Sequence, residues 1–152
     1  MTKFEHLQRG ILALSRSREW ATAAGEWSLE TVYFAGAAQT CLCTHSPIIE
    51  ICVLLNEQTR ASVEVGNCCV KRFLKLPSDT VFDAIKRIQK DPAKALNEAA
   101  IDLFHRKKWL TDYEAAFCRN TRAKRSLSGK QAAVRQRINK KVLDWLKNQR
   151  TN

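Results

Sequence analysis

Six cysteines lie in this chain of 152 residues: Cys41, Cys43, Cys52, Cys68, Cys69 and Cys118. Their spacing says more than their number. Cys41-Leu42-Cys43-Thr44-His45 places three soft ligands within five residues. A structural zinc ion takes about four nitrogen or sulfur ligands in a tetrahedron, so a fourth must come from elsewhere in the chain. Cys69 is the best placed. It falls at an expected helix start, where free amides and the helix dipole favour a thiolate. The expected ligands of a Zn2+ ion are therefore Cys41, Cys43, His45 and Cys69, with the adjacent Cys68 as an alternative to His45 or Cys69. Cys52 is in step with Ile48 and Leu54 on a strand, and Cys118 stands beside Phe117 on a helix. Both read as small buried hydrophobes. The competing reading of the whole set is reduced, buried cysteines with no metal. Met1 to Gly10 mixes Lys3, Glu5, His6 and Arg9 with few apolar residues, which is not the pattern of a secretory signal. A disulfide framework is accordingly not expected, and the chain reads as cytoplasmic.

The elements that must position these ligands follow from periodicity. Thr2 to Arg18 reads as an amphipathic helix through Phe4, Leu7, Ile11, Leu12 and Leu14. Trp20 and Trp27 read as core anchors. Thr31 to Phe34 reads as a short strand ended by Gly36. Ile48 to Leu55 and Ala61 to Val65 read as a hairpin, with Val63 and Val65 on one face and Glu64 on the other. Cys68 to Leu74 reads as a helix capped by Asn67. Beyond it, Ser78 or Asp79 caps a helix over Thr80 to Gln89, with Val81, Ile85 and Ile88 on one face. Asp91-Pro92 reads as the opening of another helix, with Leu96, Ala99, Ala100, Leu103 and Phe104 as its stripe. Thr111 with Glu114 has capping-box spacing. Ser128 caps the last helix, whose apolar stripe is Val134, Ile138, Val142 and Trp145. The expected fold class is α+β: a small treble-clef-like zinc unit, hairpin plus helix, embedded in a mostly helical domain with a basic helical C-terminal half. Three segments are expected: 1–30 helical, 31–76 zinc-binding and 77–152 basic and helical, together forming one compact domain.

The charge is uneven. The chain has 26 Lys+Arg and 15 Asp+Glu, a formal net charge of +11. Met1 to Asp102 is balanced, and Leu103 to Asn152 carries the whole excess. Such a segment attracts polyanions and speeds association with them. Hydrophobic residues make up 45% of the chain, with only 5 Gly and 3 Pro, which argues against disorder. No apolar run approaches the roughly 18 residues that span a bilayer, so no membrane partner is expected. The candidate phosphate contacts are Arg106, Lys107 and Lys108, then Arg119, Arg122, Lys124 and Arg125, then Lys130, Arg137 and Lys141. Lys130, Arg137 and Lys141 share one helix face by spacing, with Arg135 and Lys140 off that stripe. Trp109 and Tyr113 can stack on the bases of a single strand, but aromatics at helical spacing read more readily as core.

The run Cys41, Cys43, His45, Asn56, Val65-Gly66, then Cys69-Val70-Lys71-Arg72-Phe73 resembles a group of small zinc-binding proteins of phages and prophages. That group commonly has Gly immediately before the His, where this chain has Thr44. Leu127-Ser128-Gly129-Lys130-Gln131, followed by Arg137-Ile138-Asn139-Lys140-Lys141, is similar to a segment near the ends of phage-type and nucleic-acid-processing proteins. The resemblance implies a DNA-linked or host-directed role. Three functions are therefore open. The first is a zinc-stabilised nucleic-acid-binding protein, with DNA the expected ligand ahead of RNA. The second is a module that binds and modulates a host DNA-processing protein. The third, a metal-dependent nuclease, is not expected: the spare histidines are His6 and His105, and no nucleophile–base pair stands out.

Overall fold

The computed structural model describes residues 1–149. The chain divides into two compact units, Met1–Asp79 and Thr80–Asn152. The segment 1–30 thus belongs to the same unit as 31–76, and the division falls within the first turn of a helix. The class is α+β, with seven α-helices and one three-stranded antiparallel sheet among the described residues.

The first unit opens with α1 (Lys3–Ala13), whose Thr2 cap and Glu5 exchange hydrogen bonds as a capping box. The helix ends five residues before its periodicity predicts. The buried carboxylate of Glu26 is the reason: it accepts from the amides of Arg16 and Ser17 at 2.7 and 2.9 Å, which pulls the chain out of the helix. A short α2 (Trp20–Ala24) follows. Trp27 is buried, with Nε1 donating to Ser15 Oγ at 2.8 Å.

The sheet runs β1 (Trp27–Gln39), β2 (Ile48–Asn56) and β3 (Ser62–Gly66), in that order. β1 is far longer than the expected Thr31–Phe34. It keeps pairing with β2 past Gly36, through register shifts at Leu29/Thr31 and Phe34/Gln39. Cys52 lies on the central strand opposite Val32 and Val65, fully buried. On the other face Glu64 accepts from Tyr33 Oη at 2.9 Å and Gln39 Nε2 at 2.7 Å. Buried Asn56 closes the hairpin turn. Its Oδ1 takes the amides of Gln58 and Thr59, and its Nδ2 donates to Glu26.

Gly66, not Asn67, is the N-cap of α3 (Asn67–Cys69), which runs into a π-helical turn over Val70–Leu74. Asn67 is buried and serves as a polar hub instead. Its Nδ2 donates to Glu50 and Asp79 at 3.0 and 3.2 Å, and its Oδ1 accepts from Ser78 Oγ at 2.6 Å. A side chain bonded to three distant partners cannot also cap its own helix.

The second unit begins within α4 (Ser78–Lys90), where Val81, Phe82, Ile85 and Ile88 are all buried. Asp91-Pro92 makes a turn rather than a helix start, with Asp91 Oδ1 accepting from the amide of Ala93. The carbonyls of Pro92, Ala93 and Lys94 are taken by Asn139 Nδ2 and Arg135 of the last helix, so they are not free for helical bonds. Helix α5 (Glu98–Arg106) therefore starts later, capped by Asn97. It ends with Lys108 at φ 64°, the Lys108 amide bonded to the carbonyl of His105 and the Trp109 amide to that of Phe104. This is a Schellman ending, and its apolar contact is the stacking of Trp109 on Phe104. Helices α6 (Asp112–Thr121) and α7 (Gly129–Asn148) both carry capping boxes, the expected one of Thr111 with Glu114 and a second in which the expected cap Ser128 is joined by Gln131.

Candidate metal centre and cationic surface

The loop between β1 and β2 brings Cys41 and Cys43 beside Cys69 of α3. The three sulfurs lie within 4.8 Å of one another. Tetrahedral Zn–S bonds of about 2.3 Å would set sulfurs roughly 3.8 Å apart, so the group needs only a small contraction to hold an ion. All three cysteines are buried. The loop is tightened by two backbone hydrogen bonds of 2.8 Å, from Cys41 to the carbonyl of His45 and from Thr44 to that of Cys41. Thr44 adopts φ 79°, the left-handed region that favours glycine.

Amides also serve the sulfurs. Gly66 N–H donates to Cys41 Sγ at 3.2 Å, and His45 N–H to Cys43 Sγ at 3.5 Å. The chain must pass close at Gly66, where a Cβ would stand 3.2 Å from Ile48 Cγ2 and 3.7 Å from Cys41 Sγ. The hydrogen bond with Cys69, joined by the amides of Cys43 and Gly66, holds the Cys41 thiol down to about 5. Cys69, the donor in that bond and desolvated, is pushed the other way. Cys52 and Cys118 differ in kind: burial pushes their thiols up to about 12 and about 11, as befits core residues.

His45 is the expected ligand that the structure leaves outside the three-sulfur group. Its main chain is tied to Cys41 and Cys43, but its exposed ring is turned to Lys3, with Nδ1 accepting from Nζ at 3.0 Å. It lines, with exposed Cys68, a cavity of about 470 Å³ that the three cysteines also line. Lys3, Arg72, Phe4 and Phe73 complete much of that wall. The contribution of Lys3 and Arg72 was not foreseeable from local spacing, because α1 and the π turn meet there only through the fold.

The second unit holds all ten expected phosphate contacts, and the two units differ in charge. Met1–Asp79 has 8 Lys+Arg and 8 Asp+Glu, whereas Thr80–Asn152 has 18 and 7. Three of the ten are engaged by carboxylates. Arg119 reaches Glu98 and Asp102 at 3.2 and 2.9 Å, Arg122 reaches Glu98 at 3.7 Å, and Lys141 bonds to Glu114. Arg106 and Lys107 have partners as well. Lys108, Lys124, Arg125, Lys130 and Arg137 are exposed and form no ion pair among the described residues. At about 100° per residue, Lys140 and Lys147 lie on the same exposed side of α7 as Lys130 and Arg137. By the same rotation Lys141 lies within about 40° of Lys130 and Arg137, and it is the one of those three that a carboxylate engages; Lys140, about 80° from Lys130, widens the exposed side. Arg135 is structural, its guanidinium donating to the carbonyl of Thr121 at 2.8 Å and of Ala93 at 3.3 Å.

The aromatics also sort themselves. Trp109 is core, 3% exposed, whereas Tyr113 is 68% exposed. Tyr113 lies about 200° around α6 from buried Ala115, so it cannot share the core face. Trp145, expected to face inward, is 44% exposed. It sits on the rim of a buried stripe centred on Val142 and Leu146. His105 Nε2 pairs with Asp112 Oδ1 at 2.7 Å on the surface. Among the described residues no helix is long and apolar enough to cross a membrane. Set against models of known families, curated proteins and solved structures, the chain matches none of them.

Proposed function

We propose that this is a zinc-stabilised nucleic-acid-binding protein, with the metal in the first unit and the phosphate-contacting surface in the second. Three buried sulfurs within 4.8 Å, two of them served by amide donors, support a structural Zn2+ site. The order of knuckle, hairpin and helix-borne Cys69 supports a treble-clef-like arrangement. His45 is the fourth ligand in this reading: its ring exchanges Lys3 for the ion while its main chain stays fixed to the knuckle. The zinc unit is scaffold, not catalyst. In this reading the protein acts in a bacterial cytoplasm and takes DNA ahead of RNA, as a phage-type origin would imply.

One observation carries the nucleic-acid reading. Lys130, Arg137, Lys140 and Lys147 form an exposed face along α7 with no carboxylate partner among the described residues. Phosphate recognition needs little more than such a row. The test is a salt titration of binding to labelled duplex DNA, single-stranded DNA and RNA, on protein whose zinc content is measured in the same preparation. Four phosphate contacts on duplex DNA give a slope of log K against log salt of about −3 to −4. Absence of binding at low salt, with zinc present, would overturn the reading and redirect the basic face to an acidic protein partner.

A further inference from the structure

The α7 cations account for affinity to any polyanion, but they leave an aromatic feature unused. The rings of Phe104, Trp109 and Trp145 form a near-parallel stack, each step tilted by 12°, with centroids 5.2 and 6.2 Å apart. Phe104 and Trp109 are buried, and Trp145 leaves 44% of its surface in water. The stack therefore ends at the surface.

The surroundings of that ring suit a nucleotide. Lys141 precedes Trp145 by one turn of α7, and its bond to Glu114 fixes the first turn of α6, where Tyr113 stands 68% exposed. Lys108 immediately precedes Trp109 and is exposed at φ 64°. Duplex DNA presents its bases edge-on within the grooves, so a flat indole at the surface has nothing to stack on there. An unpaired base offers its π face.

We propose that Trp145 is a base-stacking platform and that the second unit takes single-stranded nucleic acid. A base continues the Phe104–Trp109–Trp145 stack, and flanking phosphates run toward Lys141 and Arg137, about 40° and 80° around α7 from Trp145. This rests on the nucleic-acid reading above, and the experiment separates the two. Full-length, zinc-loaded protein is titrated by fluorescence anisotropy with oligo(dT), oligo(rU) and a duplex of equal length. Wild type is expected to bind single strands more tightly than duplex, and the first two probes distinguish DNA from RNA. Trp145→Ala should weaken single-strand binding by about 5–150-fold, the worth of one stacked base, and leave duplex binding and the salt slope unchanged. Trp145→Phe should recover most of the loss, whereas Lys140→Ala should reduce the salt slope on every probe. A wild-type measurement needs no variant: photocrosslinking of a bromouracil-substituted single strand should map to Trp145. Unchanged single-strand binding by a folded Trp145→Ala, or crosslinks confined to other residues, would overturn stacking while leaving phosphate binding intact. Loss of binding to all three probes in wild type would overturn the underlying reading and stacking with it.

Discussion

Replacing Thr44 by glycine should stabilise the first unit. Thr44 is exposed, its side chain makes no hydrogen bond among the described residues, and its backbone lies at φ 79°. A β-branched residue is poorly suited to that region, which costs an L-residue roughly 1–2 kcal/mol. Glycine removes the clash but adds unfolded-chain entropy worth about 0.5–1 kcal/mol. The difference is a gain of about 0.5–1 kcal/mol. At about 4–8 °C per kcal/mol for a domain of this size, Tm should rise by about 2–8 °C. The assay is thermal unfolding of zinc-loaded full-length protein, with zinc stoichiometry checked before each scan. Thr44→Ala keeps a Cβ at the strained position and should gain less than Thr44→Gly. The knuckle hydrogen bonds from Cys41 and Thr44 are backbone groups, so neither variant should lose metal. A fall in Tm for Thr44→Gly, with Thr44→Ala neutral, would refute the reasoning: the Thr44 side chain, and not the strained backbone, would then be what the knuckle requires.

Three further outcomes are expected. Cys41→Ser and Cys69→Ser should lose zinc, as read by metal analysis, and destabilise the fold sharply, because structural zinc contributes folding free energy directly; Cys52→Ser and Cys118→Ser should keep zinc and cost only the few kcal/mol of a core change. Equal tolerance at all four would refute the ligand assignment. Asn67→Ala should cost about 1–3 kcal/mol in urea unfolding, since it strands the buried Ser78 hydroxyl without its acceptor; a change within the noise of the surface would mean that the hub is not formed. Asn56 Nδ2, joined by the amides of Arg16 and Ser17, holds the Glu26 carboxyl below its ordinary value. A carboxyl lowered in the folded state adds stability above the unfolded value, and that stability is lost as pH falls through the folded value. Urea midpoints should therefore drop on acidification below about pH 4.5, and Glu26→Gln should flatten that dependence; an unchanged acid limb in the variant would assign it to other carboxyls.

What the sequence revealed of this molecule follows the range of the forces involved. Capping boxes at Thr111/Glu114 and Ser128/Gln131 are contained within one turn, so four adjacent residues specify them, and the structure has both. The β2–β3 hairpin is likewise local, set by alternation on either side of a polar turn. The approach of Cys69 to Cys41 and Cys43 was legible because metal-ligand residues are rare and their spacing is restrictive. The misread elements are those decided by distant partners. The end of α1 is set by Glu26, the end of β1 by continued pairing with β2, the role of Asn67 by Glu50, Ser78 and Asp79, and the late start of α5 by Asn139 and Arg135. None of those partners lies within a helical turn of the residue it redirects. The ring of His45 turns to Lys3, 42 positions away, which spacing within the knuckle does not encode.

The same distinction governs the basic surface. Counting Lys and Arg treats each as an available charge, and in the second unit that is not so. Arg119 and Arg122 are held by Glu98 and Asp102, and Lys141 by Glu114. To meet a phosphate, each must first leave a carboxylate, and the exchange of one anion for another releases few counterions. Exposed ion pairs are individually weak, about 0–1 kcal/mol, so the exchange is accessible but adds little to affinity. Lys130, Arg137, Lys140 and Lys147 face no such exchange. They are spread along α7 over 17 steps, roughly 25 Å at 1.5 Å per residue, a reach suited to several successive phosphates. The salt dependence should therefore follow the cations that the fold leaves without partners, and removing Arg119 should alter the stability of the α5–α6 pair more than the slope.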